Sequence, residues 1–394
     1  MDWQTFSFEY HLDGPGLTVL LIEIEASRKA VENLLLPPDW RDQLDRLNRI
    51  RTIRGTTALE GNPLSEAQVR ELLDRETEAD ATTRESRQIE NAAGAQDWVR
   101  ERFGLGKAPL AVADILRMHE LLTKGSDDVN NVPGRLRVYG VQVGTPELDG
   151  VHLGAPHEKL QQLLNDFVVF VNSRRVRAEH PVVRALLAHF FLVTIHPFGD
   201  GNGRLSRLVE AAILFEGGYN VHGFYGLSNY FYRNGDLYKS RLQECRRVQP
   251  FDVTPFVGFG LRGFDAELRG INAFINSKLN RLVYRQTLTW ARDKRVSERR
   301  RLISEREHGL LGFLLEETEP ADPFSERPSR RLALEALIDS PFVGTVYRDV
   351  TSRTFFRELT RLAELGFIIF ERDADSGEFV VDLDFAAIGK YGSR

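Results

Sequence analysis

Cysteine is nearly missing: the 394 residues hold one, Cys245. A single thiol excludes an intramolecular disulfide and any zinc site built from several cysteines, and it suits a reducing cytoplasmic setting. Long apolar runs are missing as well. The longest, Leu17–Ile22 and Leu186–Ile195, are too short to span a bilayer. The opening residues Met1-Asp2-Trp3-Gln4 lack a basic stretch followed by an apolar one, so no signal peptide is expected. Neither sign of charge dominates: 52 basic and 57 acidic residues give a net charge of −5. That balance does not support polyanion binding along the whole chain and leaves room only for a local basic patch. There is no internal repeat, no low-complexity tract and no Gly-x-x-x-x-Gly-Lys-[Ser/Thr] phosphate loop.

What is present is an ordinary globular mix, 42% hydrophobic and 28% charged, at a length that accommodates two or three domains. Residues 1–110 read mostly as helix. Trp40, Leu44, Leu47 and Ile50 recur at helical spacing in a segment expected over Asp39–Leu59. It stops at Glu60-Gly61-Asn62-Pro63, and Ser65-Glu66-Ala67-Gln68 reads as the capping box of the next helix. Residues 78–92, polar and charged, are expected to be an exposed connection or a solvated helix face. A central block, 111–264, contains helices over Ile115–Leu122, Pro181–Ile195, Arg204–Glu216 and Leu227–Arg247. Between them, Pro133–Gly144 changes period and predicts short strands at Leu136, Val138, Val141 and Val143. Residues 265–328 are expected to be one or two long charged helices over Phe264–Glu307, then a linker with three prolines in Thr318–Pro328. Residues 329–394 form a small unit of helix, helix and two strands, with Phe367–Arg372 and Glu378–Asp384 flanking a hairpin turn.

The chemistry concentrates in His196-Pro197-Phe198-Gly199-Asp200-Gly201-Asn202-Gly203-Arg204-Leu205-Ser206-Arg207. This is an apolar helix, a tight glycine loop and a second helix. Gly201 and Gly203 let backbone approach a ligand closely, and the N–H groups opening the second helix converge on an anion. Arg204 and Arg207, three apart on that helix, provide two cationic clamps. Asp200 is a hard oxygen ligand beside the anion site, as a phosphate-bound Mg²⁺ needs. A neutral imidazole at His196 can take a proton from an attacking hydroxyl. Each residue alone has an ordinary explanation, Arg207 pairing with Glu210 for instance. Coincidence of all of them within twelve residues is a poor account of the segment.

The segment resembles the Fic family signature His-Pro-Phe-x-[Asp/Glu]-Gly-Asn-Gly-Arg-x-x-Arg at every fixed position, and Ile115–Leu122 and His180–Ile195 resemble the family's preceding helices. The resemblance covers roughly residues 40–265. It implies a mainly α protein: an all-helical core with a small β-hairpin flap, here at Arg137–Val143. It further implies transfer of AMP from ATP to a Ser, Thr or Tyr hydroxyl of a protein, with release of pyrophosphate. His196 would be the general base and Asp200 the Mg²⁺ ligand. Gly201, Asn202, Gly203, Arg204, Leu205, Ser206 and Arg207 would bind ATP, with Tyr238 at the adenine pocket. The Gly-Asn-Gly-Arg form resembles the nucleotide-transferring branch rather than a phosphorylating one. His189 reads as packing rather than as a metal ligand.

Two further features are expected to regulate or dock. Thr56-Thr57-Ala58-Leu59-Glu60-Gly61-Asn62 resembles the family's inhibitory-helix signature, which makes Glu60 a regulatory carboxylate acting in the same chain. Residues 329–394 resemble a winged helix, an α+β unit with Phe355, Leu359 and Leu362 facing its core and Arg353, Arg357 and Arg361 outward. That unit holds 9 basic and 11 acidic side chains, a net of −2, so DNA binding through it is not favoured over protein docking. Expected partners are a target protein or the chain itself, with a homodimer compatible and no membrane. The rival reading is a non-catalytic ATP sensor or DNA-binding transcriptional regulator built on the same core.

Overall fold

A computed structural model describes residues 2–33, 36–74, 83–126, 128–144, 151–219, 227–298, 300–320, 324, 329–374 and 376–392. The protein is mainly α, with a few short two- and three-stranded sheets. It divides into two compact units, Met1–Leu268 and Arg269–Arg394.

The first unit is built around the helix Pro181–Ile195. Its sequence is apolar on every face, and every residue from Val182 to Ile195 is buried. Such a helix must be surrounded. Asn202–Glu216 packs against it, and the rings of Phe190 and Phe191 close on Phe251. The N-terminal strand Tyr10–His11 pairs in parallel with Phe251–Asp252 on that side. Pro38–Ala58 packs on Ser228–Arg233 through Gly55, where an added Cβ would lie 2.7 Å from the Ser228 backbone. This close approach fixes the end of Pro38–Ala58, and Glu60 just beyond it, relative to the central helices. The capping box at Ser65 forms as expected, the Gln68 side chain accepting the Ser65 N–H at 2.9 Å.

Three local expectations need correction. Leu136 and Val138 are not in a strand. Arg137 is buried between them and donates from Nε to the His196 carbonyl at 2.8 Å and from its backbone N–H to the Pro197 carbonyl at 3.1 Å. The segment is tied to the motif loop instead of to a partner strand. The hairpin lies further on, Gln142–Val143 pairing antiparallel with His152–Leu153, and residues 145–150 are outside the described residues. Leu227–Arg247 is not one helix but two, Ser228–Arg233 and Gly235–Cys245, broken at Asn234 (φ −123°, ψ 40°). Polar residues 84–92 belong to the helix Arg84–Arg102, which buries Ile89, Ala92 and Ala93, while residues 75–82 are outside the described residues.

The second unit begins within a single 40-residue helix, Thr254–Asp293. A short hairpin, Arg295–Ser297 with Arg300–Arg301, and the helix Glu305–Glu317 follow where one or two long helices were expected. Its terminal part has a third strand beyond the two read from sequence. Leu332–Ala333 pairs with the hairpin Ile368–Arg372 and Phe379–Leu383, the last strand lying in the centre. On Ser352–Leu365, Phe355, Leu359 and Leu362 are buried and Arg353 and Arg357 exposed, as their spacing predicts. Arg361 does not face outward: it donates to buried Glu307, with one contact at 2.6 Å, and to the Leu302 carbonyl. The hydrophobic side of that helix meets Leu310, Leu311 and Leu314 in one core. Among the described residues no helix is long and apolar enough to cross a membrane.

Candidate active site

The site starts where the apolar central helix ends. His196 occupies the left-handed region (φ 54°, ψ 61°), the only described residue other than glycine with positive φ. Such a conformation costs ~1–3 kcal/mol and persists only where the surroundings enforce it. Here the Leu192 carbonyl accepts the His196 N–H, Arg137 holds its carbonyl, and the Ala155 N–H donates to the preceding Ile195 carbonyl. The ring donates from Nδ1 to the Val193 carbonyl at 3.3 Å. That bond sets the tautomer and leaves the Nε2 lone pair available. Burial pulls the imidazole down to about 4, with the nearby guanidinium groups of Arg246 and Arg137 acting in the same direction. His196 is therefore a neutral base at pH 7.

The loop after it is held from inside. Asn202 donates to the Phe198 carbonyl at 2.8 Å and accepts the Phe198 N–H at 3.0 Å, closing the turn on itself. Phe198, fully buried, stacks on His119 with ring centroids 3.7 Å apart. His119 accepts the Gly134 N–H at Nδ1 and donates from Nε2 to the Asp200 carbonyl, both at 3.0 Å. Two bonds of opposite sense require the neutral ring, and burial keeps it neutral by lowering its pKa to about 4. His119 lies far from the motif in sequence, and sequence reasoning assigned it no role. One histidine on an apolar helix face carries no signal of what it braces.

Gly201 (φ 76°) turns the chain into the helix Asn202–Glu216. A Cβ there would lie 2.9 Å from Thr123 Cγ2. The first N–H groups of this helix have no partner within it, which makes its start an anion cradle. Arg204 donates to Asp200 Oδ2 at 2.7 Å, and its buried Nε has no partner among the described residues. A buried orphan donor beside a helix N-terminus suits a further anionic oxygen. Asp200 is a third exposed, and although burial opposes it, Arg204 and the Gly201 N–H hold its carboxyl below the usual range. No cluster of three or more metal-binding side chains exists among the described residues. One ionised carboxylate beside an anion cradle fits Mg²⁺, which takes few protein ligands when phosphate oxygens supply others.

Glu60 and Arg207 meet in this cradle. Glu60 Oε1 lies 2.6 Å from Arg207 Nη2, and an added Cβ on Gly203 would fall 2.3 Å from the same oxygen. A carboxylate thus stands over the helix start where an anion would bind. Arg207 also donates from Nε to Thr56 Oγ1 at 2.8 Å and from Nη2 to the Thr56 carbonyl at 3.0 Å. The remaining motif residues are structural in placement: Leu205 is fully buried, and Ser206 donates its hydroxyl proton to the Asn202 carbonyl at 2.9 Å. Tyr238 is buried in an aromatic cluster, stacked on Phe231 at 4.8 Å. Its hydroxyl meets His189 Nε2 at 2.9 Å. His189, fully buried, has the Glu210 carboxyl group 2.7 Å from its Nδ1. The flap hairpin stands beside His196: a Cβ added at Gly154, directly after its second strand, would fall 3.3 Å from the His196 Cβ.

In this helical unit the central helix thus delivers a neutral histidine to a glycine-rich anion cradle. Residues 109–214 match the Fic/DOC family. The chain is 32% identical over 171 residues to "Protein adenylyltransferase Fic" of Aedes aegypti, a match covering 43% of this chain and 33% of that protein. It is 33% identical over 168 residues to "Protein adenylyltransferase fic-1" of Caenorhabditis briggsae, covering 42% and 31%. The chain thus spans about a third of the length of these curated relatives. The fold is similar to the crystal structure of a Fic family protein from Desulfovibrio desulfuricans G20 (TM-score 0.56, 22% identity), over 95% of this chain and 97% of that one.

Proposed function

We propose that this protein transfers AMP from ATP to a Ser, Thr or Tyr hydroxyl of a protein, releasing pyrophosphate, and that Glu60 restrains the reaction. The observation that carries this reading is the juxtaposition of a base with an open Nε2 and an anion cradle already holding a carboxylate. In the reaction, His196 Nε2 takes the proton of the target hydroxyl as its oxygen bonds the α-phosphorus. The bond from that phosphorus to the bridging oxygen breaks, and pyrophosphate leaves with the electron pair. The N–H groups of Asn202 and Gly203 and the guanidinium of Arg204 hold the phosphate oxygens, and Arg207 grips the γ-phosphate. Asp200 would hold Mg²⁺, which neutralises charge on the phosphates as pyrophosphate departs. The flap edge at Gln142–Val143 and Leu153, the last 63% exposed, would take the target segment as an added strand.

Glu60 restrains by occupying the cation that the γ-phosphate needs. The relatives' names support adenylyl transfer, and the pairing of Glu60 with Arg207 supports inhibition within the chain. Pyrophosphate release from ATP and a protein target tests the reaction. It should appear in a Glu60→Gly variant and be lost on adding His196→Ala. Release that persists without His196 overturns the assignment of the base.

A further inference from the structure

Near Arg207, three buried polar side chains line up that the transfer chemistry does not use. His189 and Glu210 are 0% and 1% exposed, and Tyr238 is 5% exposed. They come from three helices: Pro181–Ile195, Asn202–Glu216 and Gly235–Cys245. The Arg207 guanidinium and the Tyr238 hydroxyl are near enough for each to act on the other's charge. That hydroxyl is 2.9 Å from His189 Nε2, and His189 Nδ1 is 2.7 Å from Glu210 Oε2. The Leu227 N–H donates to the same carboxyl group. Glu210 stands one turn from Arg207 on one helix, yet reaches it through two intermediates rather than directly.

A carboxyl group with almost no water contact is costly unless every partner is in place. An aliphatic residue would fill the space at no such cost, so packing alone does not account for Glu210. What the relay adds is a second anchor for Arg207. Its other bonds run to Thr56 and Glu60, at the end of one helix. Once Glu60 withdraws, the bonds to Thr56 remain, and Tyr238 is the neighbour that the helix Gly235–Cys245 brings to the guanidinium.

We propose that Glu210 is a positioning residue for Arg207: through His189 and Tyr238 it fixes the guanidinium at the point where it grips an anionic oxygen. That this oxygen belongs to a γ-phosphate rests on the nucleotide reading above; the relay itself does not.

Two measurements separate these. The first needs no nucleotide: melting temperatures of wild type, Glu60→Gln, Glu210→Gln and the double variant. If Glu210 positions Arg207 for Glu60, the loss caused by Glu60→Gln shrinks in the Glu210→Gln background. Additive losses mean that Glu210 only packs, and the relay is overturned. Should Glu210→Gln not fold, Tyr238→Phe, which removes one hydroxyl and keeps the stacked ring, takes its place in the same cycle with the same two outcomes. The second measurement is calorimetric binding of ATP and AMP to Glu60→Gly with and without Glu210→Gln. The ATP dissociation constant should rise ~10-fold, the scale of one hydrogen bond to a charged group. AMP, which lacks the γ-phosphate, should bind within about twofold of the parent, a smaller change than any lost hydrogen bond to a charged group would cause. Equal weakening of both nucleotides, or none, overturns the proposal. A Glu60→Gly parent that binds no ATP sinks the nucleotide reading instead, and the melting cycle still decides the relay.

Discussion

Replacing Glu60 by glycine should release activity, and the structure sets the scale. Glu60 Oε1 and Arg207 Nη2 are 2.6 Å apart, with the Arg207 side chain 2% and the Glu60 side chain 34% exposed. Unit charges about 4 Å apart interact by ~4 kcal/mol at an effective dielectric near ~20. Water on the open side of Glu60 pulls the value toward the ~0–1 kcal/mol of exposed pairs. A net near ~2 kcal/mol corresponds to roughly 30-fold in rate or affinity. The carboxylate also occupies the space above Gly203, so ATP that binds beside it is displaced, and ~1 Å of misplacement costs ~10²-fold in transfer. Initial rates of AMP incorporation should therefore rise by at least ~30-fold in Glu60→Gly, and more than ATP affinity does. Glu60→Asp, which reaches Arg207 poorly, should release the enzyme only in part. Arg207→Ala should not be activated further by Glu60→Gly, because the clamp itself is gone. An unchanged rate in Glu60→Gly, with ATP and target in excess, means that Glu60 does not restrain transfer.

Other outcomes follow from the same geometry. His196→Ala should lower transfer ~10²–10⁴-fold while ATP binding, measured by calorimetry, persists. Because burial lowers the His196 pKa to about 4, the base is neutral above that value and protonated below it. The acid limb of kcat/KM should then fall near pH 4 rather than near the ordinary imidazole value of about 6.5, which a pH–rate profile checks. Asp200→Ala should abolish the Mg²⁺ dependence of transfer, seen by titrating the metal. Gly201→Ala forces a Cβ into positive φ and to 2.9 Å from Thr123 Cγ2, and should destabilise the fold by ~1–3 kcal/mol in thermal or denaturant unfolding.

The motif was legible because its residues are contiguous and each does one chemical task. The central helix was legible because apolar residues on every face admit only a surrounded helix. The contact of Glu60 with Arg207 follows from its placement in a recognisable signature, although 147 positions separate the two. What escaped the sequence depends on tertiary contact. Arg137 sits in an alternation of apolar residues that reads as a strand, yet its guanidinium binds the main-chain carbonyls of His196 and Tyr139. Arg361 has the spacing of an outward residue but finds Glu307 on a neighbouring helix. Tyr238 meets His189 through its hydroxyl, a contact that its spacing in sequence does not announce. The ordinary alternative for Arg207, a surface pair with Glu210, is not what forms: both residues are buried and Glu210 lies against His189. Periodicity reports which side of a helix is apolar. It does not report which polar group waits on the element opposite.

The most direct test of AMP transfer uses the position of a radioactive phosphorus. Glu60→Gly should be incubated with a target-containing lysate and ATP labelled at the α-phosphate, and separately at the γ-phosphate. AMP transfer predicts protein-bound label from α-labelled ATP alone, lost when His196→Ala is added. Label arriving from the γ-phosphate, or α-label that survives without His196, would contradict it.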